Sequence, residues 1–95
     1  MTDLRKLAKG KPCQVRIPGV CNGNPETTVL AHYSLAGISG RGLKSPDLLG
    51  AWCCSACHDE VDRRTQEHDL ETVRWSHAEG VLRTQYELIK LGVIK

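Results

Sequence analysis

The sequence predicts a small α+β fold with a long C-terminal helix, one domain over residues 1–95, held by a staple rather than by a large apolar core. Three observations lead there. Cysteines come in two pairs, Cys13 with Cys21 and Cys54 with Cys57, and His58 follows the last of them directly. A chain of 95 residues with no phenylalanine, 2 tryptophans and 2 tyrosines can build only a modest aliphatic core, and a chain this short buries roughly two-thirds of its unfolded surface. Apolar residues recur at helical spacing late in the chain, whereas an earlier segment is β-branched.

Taken in order, Asp3 can cap a short basic helix over Leu4–Lys9, ended by Gly10. The segment from Ile17 to Pro25 is dense in turn residues and is where a zinc knuckle would sit. Thr27–Tyr33 reads as a short strand with His32 near its end. Residues 36–47 hold three glycines with Arg41 and Lys44; they can bring N–H groups and cations to phosphate, or serve as a plain hairpin connection. Leu48 to Trp52 leads into the second cysteine pair, and Ser55 can cap a helix running through Arg64. A longer helix is expected from about Leu70 to Leu91, with Leu70, Val73, Ala78, Val81, Leu82, Leu88 and Ile89 as its apolar positions. Gly80 weakens that helix and Gly92 suits its end. No internal repeat, low-complexity tract or linker interrupts the chain.

The net charge of +2 is too small to identify a partner, but its distribution is uneven. Arg5, Lys6, Lys9, Lys11 and Arg16 stand against Asp3 alone in the first sixteen residues. Such clusters fit a polyanion, although solvated surface lysines account for any one of them. No apolar stretch suits a signal peptide and none could span a bilayer, so a cytoplasmic location without membrane contact is expected. There, paired cysteines serve as metal ligands more often than as disulfides. Five cysteines also cannot pair fully within one chain.

A Cys-x-x-Cys turn offers two thiolates to one tetrahedral metal, and a second pair closes the shell. Cys13, Cys21, Cys54 and Cys57 are therefore the candidate ligands of a structural zinc. A knuckle plus a helix amino terminus is the arrangement of a treble clef. The competing reading is that some are simply buried core thiols. Cys53 adjoins Cys54 and could replace it, although the two-residue spacing to Cys57 favours Cys54. His58 and Asp62 lie four apart, on one helix face, where an imidazole and a carboxylate can hold a divalent cation. An ordinary surface pair has the same spacing.

The order of strand histidine, glycine-rich segment, polar residue and Cys-x-x-Cys-His helix resembles the HNH nucleases with their ββα-metal, treble-clef core. Val29-Leu30-Ala31-His32 resembles the first motif, Ser45-Pro46-Asp47 occupies the central Asn region, and Cys54 through Asp62 resembles the final motif. Nearly the whole chain also resembles short nucleases carried in lambdoid prophages and, more distantly, phage recombination-enhancing HNH nucleases.

The resemblance implies a metal-dependent endonuclease that hydrolyses phosphodiester bonds in single- or double-stranded DNA, in phage recombination or DNA processing, with a recombination protein as a further partner. His32 would be the general base and His58 a ligand of catalytic Mg²⁺, Mn²⁺ or Zn²⁺. Asp62 is the candidate second ligand, and Asp47 would replace the central Asn. Arg41, Lys44, Arg63, Arg64 and the basic amino terminus would grip the flanking backbone. Ala31 departs from the pattern, since the family places a metal-ligating Asp or His before the base histidine. That departure keeps open a non-catalytic zinc module that binds DNA or a recombination protein. A thiol–disulfide protein ranks last, because no thioredoxin-like βαβ pattern accompanies the Cys-x-x-Cys.

Overall fold

The structure, a computed structural model, describes residues 3–34 and 45–94. Helix α1, Leu4–Ala8, is one residue shorter than its sequence suggests, and Asp3 caps it by accepting from the Arg5 and Lys6 N–H groups. The chain then turns at Ile17, whose carbonyl accepts from both Val20 and Cys21 N–H. Gly19 and Gly23 take left-handed φ of 72° and 68° here, which costs glycine little. A 3₁₀ turn, Pro25–Thr27, is capped by Asn24 and leads into strand β1, Val29–His32.

A second 3₁₀ turn, Asp47–Leu49, precedes strand β2, Gly50–Cys53. The strands pair antiparallel, with Leu30 opposite Trp52 and His32 opposite Gly50. Helix α2, Ser55–Val61, is capped by Cys54 rather than Ser55, through the Cys57 N–H donating to Cys54 Sγ. It also stops three residues short of Arg64. Arg63 takes φ 63°, and the buried Glu60 carboxylate accepts from the Thr65 hydroxyl and from Glu67 and His68 N–H. Those bonds hold the chain in a tight return that a continued helix could not make.

Helix α3, Leu70–Lys90, is capped by Asp69. It closes with Gly92 N–H on Ile89 and Val93 N–H on Leu88, the two bonds of a Schellman ending. Its buried face matches the expected one at Val73, Val81 and Leu88 and departs from it elsewhere. Val73, His77, Gly80, Val81, Thr84 and Leu88 face inward, whereas Leu70, Leu82 and Ile89 are at least half exposed. The inward polar groups have partners: His77 Nε2 donates to the Ala31 carbonyl, and Thr84 Oγ1 accepts from Trp52 N–H. A Cβ on Gly80 would stand 2.9 Å from Val15 Cγ2 and 3.0 Å from Val15 Cα, so the helix rests directly on the 14–15 backbone.

The core divides in two. Val15, Ile17, Ala31, Ala51, Val73 and Val81 surround the cysteines, while Trp52, Ala8 and Leu88 pack beneath α1. No helix among the described residues is long and apolar enough to cross a membrane.

Candidate metal centre and active-site cleft

Two segments meet at the thiols. The turn after Ile17 delivers Cys21, the chain before it delivers Cys13, and the first turn of α2 delivers Cys54 and Cys57. Their four Sγ atoms all lie within 4.8 Å of one another, close enough for one metal ion to touch all four. Cys21 Sγ and Cys54 Sγ are 3.8 Å apart. Tetrahedral Zn–S bonds of about 2.3 Å place neighbouring sulfurs about 3.8 Å apart, so donor type and spacing both fit zinc. Cys53, fully buried at the end of β2, stands outside the set. Hydrogen bonds with Cys53 and Cys57 draw the Cys13 thiol far below its ordinary range. The bond to Cys13 correspondingly pushes the Cys53 thiol far up.

A cleft of about 380 Å³ opens beside α2, lined by Arg5, Ala31, His32, His58 and Asp62 among others. His32 comes from β1, His58 from α2, and Asp62 from the residue that ends α2. His58 Nε2 lies 3.7 Å from Asp62 Oδ2. His32 Nε2 is 2.7 Å from Asp47 Oδ1, and Arg5 Nε reaches the same oxygen at 3.4 Å. The His32 hydrogen bond holds the Asp47 carboxyl below its usual 3.8; Arg5 adds to this and desolvation opposes it. Behind the cleft, burial lowers the His77 imidazole below its usual 6.5, which keeps it neutral as it donates to the backbone one residue before His32.

The structure therefore brings His32, Asp47, His58 and Asp62 to one place. It does not bring Arg63 or Arg64 there. Arg63 donates to the His68 carbonyl, and the exposed Arg64 pairs with Asp59 at 3.6 Å. Arg41 and Lys44 lie outside the described residues. The basic amino terminus contributes Arg5 to the cleft; the sequence marks the cluster but not which of its five cations enters. Ala31 is 2% exposed and carries no donor side chain.

A two-stranded α+β core with four gathered thiols beside a histidine-lined cleft defines the class: a small protein with thiols placed to hold a metal ion and a polar site next to them. The chain belongs to the family described as "Putative nuclease YbcO", whose model matches residues 2–93. A curated relative of that name from Escherichia coli (strain K12) is 59% identical over 95 residues, covering 100% of this chain and 99% of its own. A relative from Enterobacteria phage 82, named "Putative nuclease ybcO", matches at the same 59% over the same coverage. A solved chain, "Structure of a putative bacteriophage protein from Escherichia coli str. K-12 substr. MG1655", is 53% identical with a TM-score of 0.80, covering 95% of this chain and 100% of that one.

Proposed function

We propose that this chain is an HNH-type, metal-dependent endonuclease hydrolysing phosphodiester bonds in DNA, built on a treble clef and acting in phage or prophage recombination or DNA processing. The observation that carries the reading is the single cleft shared by His32 of β1, His58 of α2 and Asp62 at the end of α2. It lies beside four thiols suited to a structural zinc. The nuclease names of the relatives support it.

His58 and Asp62 are the residues that would hold catalytic Mg²⁺, Mn²⁺ or Zn²⁺. The two side chains face one another at 3.7 Å and would supply one nitrogen and one oxygen donor. When bound, the ion supplies Lewis-acid stabilisation of the charge developing on the phosphate. Every ligand beyond these two comes from water or substrate, because Ala31 provides none.

His32 acts as general base. With its Nε2–H donating to the Asp47 carboxylate, the imidazole lone pair resides on Nδ1 and takes the proton of the attacking water. Asp47 thus fixes the tautomer and ring orientation, the task assigned to the central Asn in the resembling family. Arg5 places a fixed positive charge in the cleft for the phosphate. Arg41, Lys44, Arg63 and Arg64 contact the flanking backbone without reading sequence.

A nicking assay on plasmid and single-stranded DNA with Mg²⁺ or Mn²⁺, beside a matched His32→Ala protein, tests the proposal. Metal-dependent cuts by the parent alone are expected. Absence of cutting by either, with zinc still bound, would support the second reading that Ala31 favours: a zinc-binding module without catalysis, attached to DNA or a recombination protein. Equal cutting by both would remove His32 from the mechanism.

A further inference from the structure

We propose that the cleft between α1 and β1 is a second subsite, which takes a phosphate and sugar of the nucleic-acid strand flanking the cut; this rests on the nuclease reading above. The cleft measures about 510 Å³ and shares Arg5 and Leu30 with the histidine cleft, so the two adjoin. Arg5, Lys6 and Lys9 line its α1 side. Arg5 and Lys6 stand on α1 and Lys9 caps its C-terminal end, so all three cations border the same cleft. Glu26 is the one acid among the lining residues, against three cations.

An independent feature points to a ligand in the same place. Thr28 lines this cleft and is 3% exposed. Its Oγ1 is the one buried side-chain polar atom without a hydrogen-bond partner among the described residues. A buried hydroxyl is normally paired, and one rotamer step about χ1 exchanges its position with the methyl. A phosphate oxygen beside the lysines would accept from it. Val29 and Leu30 give the floor an apolar surface for a sugar. No aromatic ring lines the cleft, so bases have no stacking platform there. Binding is therefore to the backbone, insensitive to sequence and steeply dependent on salt.

The test measures anisotropy of a labelled mixed-sequence oligonucleotide, single-stranded and duplex, across a salt series. It uses the full zinc-loaded chain carrying His32→Ala to prevent cutting. Adding Lys6→Gln with Lys9→Gln should weaken binding about tenfold or more and flatten the salt slope by about 1.4–1.8, the value for two phosphate contacts. Thr28→Val should weaken binding several-fold while leaving the melting temperature equal or higher, since it deletes an unpaired hydroxyl. Glu26→Gln should tighten binding. An unchanged salt slope in the lysine variant overturns the subsite, as does Thr28→Val losing binding only together with a lower melting temperature. If the wild-type chain nicks plasmid while the lysine substitutions leave binding by the His32→Ala chain unchanged, the subsite falls and the nuclease reading stands. If the His32→Ala chain does not bind and the wild-type chain does not cut, both fall.

Discussion

His32 Nε2 and Asp47 Oδ1 stand 2.7 Å apart across the join between β1 and the turn that opens β2. The pairing holds the imidazole by its rear nitrogen and leaves the other nitrogen for chemistry. His32→Ala should lower the cleavage rate by about 10²–10⁴-fold, the usual contribution of a positioned base. Asp47→Asn keeps an accepting oxygen and should cost about tenfold, and Asp47→Ala more. Single-turnover rates on a nicked-circle assay would rank them; Asp47→Ala cutting at the parental rate would detach Asp47 from His32.

The thiol cluster makes a separate prediction. Cys54→Ser and Cys57→Ser should each lose bound zinc and melt at markedly lower temperature, because in small domains metal binding and folding are one equilibrium. Cys53→Ser should keep one zinc per chain, since Cys53 lies outside the gathered set. Metal content by elemental mass spectrometry, read beside thermal melts, distinguishes these outcomes. Zinc loss in Cys53→Ser would mean that the ligand pair is wrongly drawn.

Thr84→Val removes the acceptor of the buried Trp52 N–H, a bond of 3.0 Å. An orphaned backbone donor costs about 1–3 kcal/mol, and in a chain of this size each kcal/mol lowers the melting temperature by roughly 4–8 °C. A melting temperature within a degree of the parent would show that water or another group replaces the bond.

Acid should unfold the protein partly through two carboxyls. His32 holds Asp47 below its ordinary 3.8, and the Thr65 hydroxyl holds Glu60 below its ordinary 4.5. Because the folded values are depressed, their stabilisation is complete above those ordinary values and disappears as pH falls through the folded ones. Asp47→Asn and Glu60→Gln should therefore be less stable than the parent at pH 7, with the gap closing as pH falls below about 4. Denaturant titrations at paired pH values would show it. A gap that stays constant with pH would mean that the loss is one of packing.

The sequence made some features legible and hid others for physical reasons. Helix α3 announced its length through an apolar period and a terminal glycine, and the four thiols announced themselves by spacing. The burying face of α3 followed that period only at Val73, Val81 and Leu88. His77, Gly80 and Thr84 turn inward because a carbonyl, a close backbone and an N–H await them on other elements. Strand β2 went unread because Gly-Ala-Trp-Cys is buried on both faces and shows no alternation. Arg5 became part of the cleft only when α1 docked beside β1, a tertiary event its neighbours in sequence do not encode.

Ser45 Oγ donates to the Tyr33 carbonyl, and the Tyr33 N–H donates to the Leu49 carbonyl. This clasp shuts the connection between the strands immediately behind His32 and Asp47. Residues on both sides of Asp47 are thereby tied to the end of β1, so the separation of His32 and Asp47 is set by main-chain groups as well as by the reach of the two side chains.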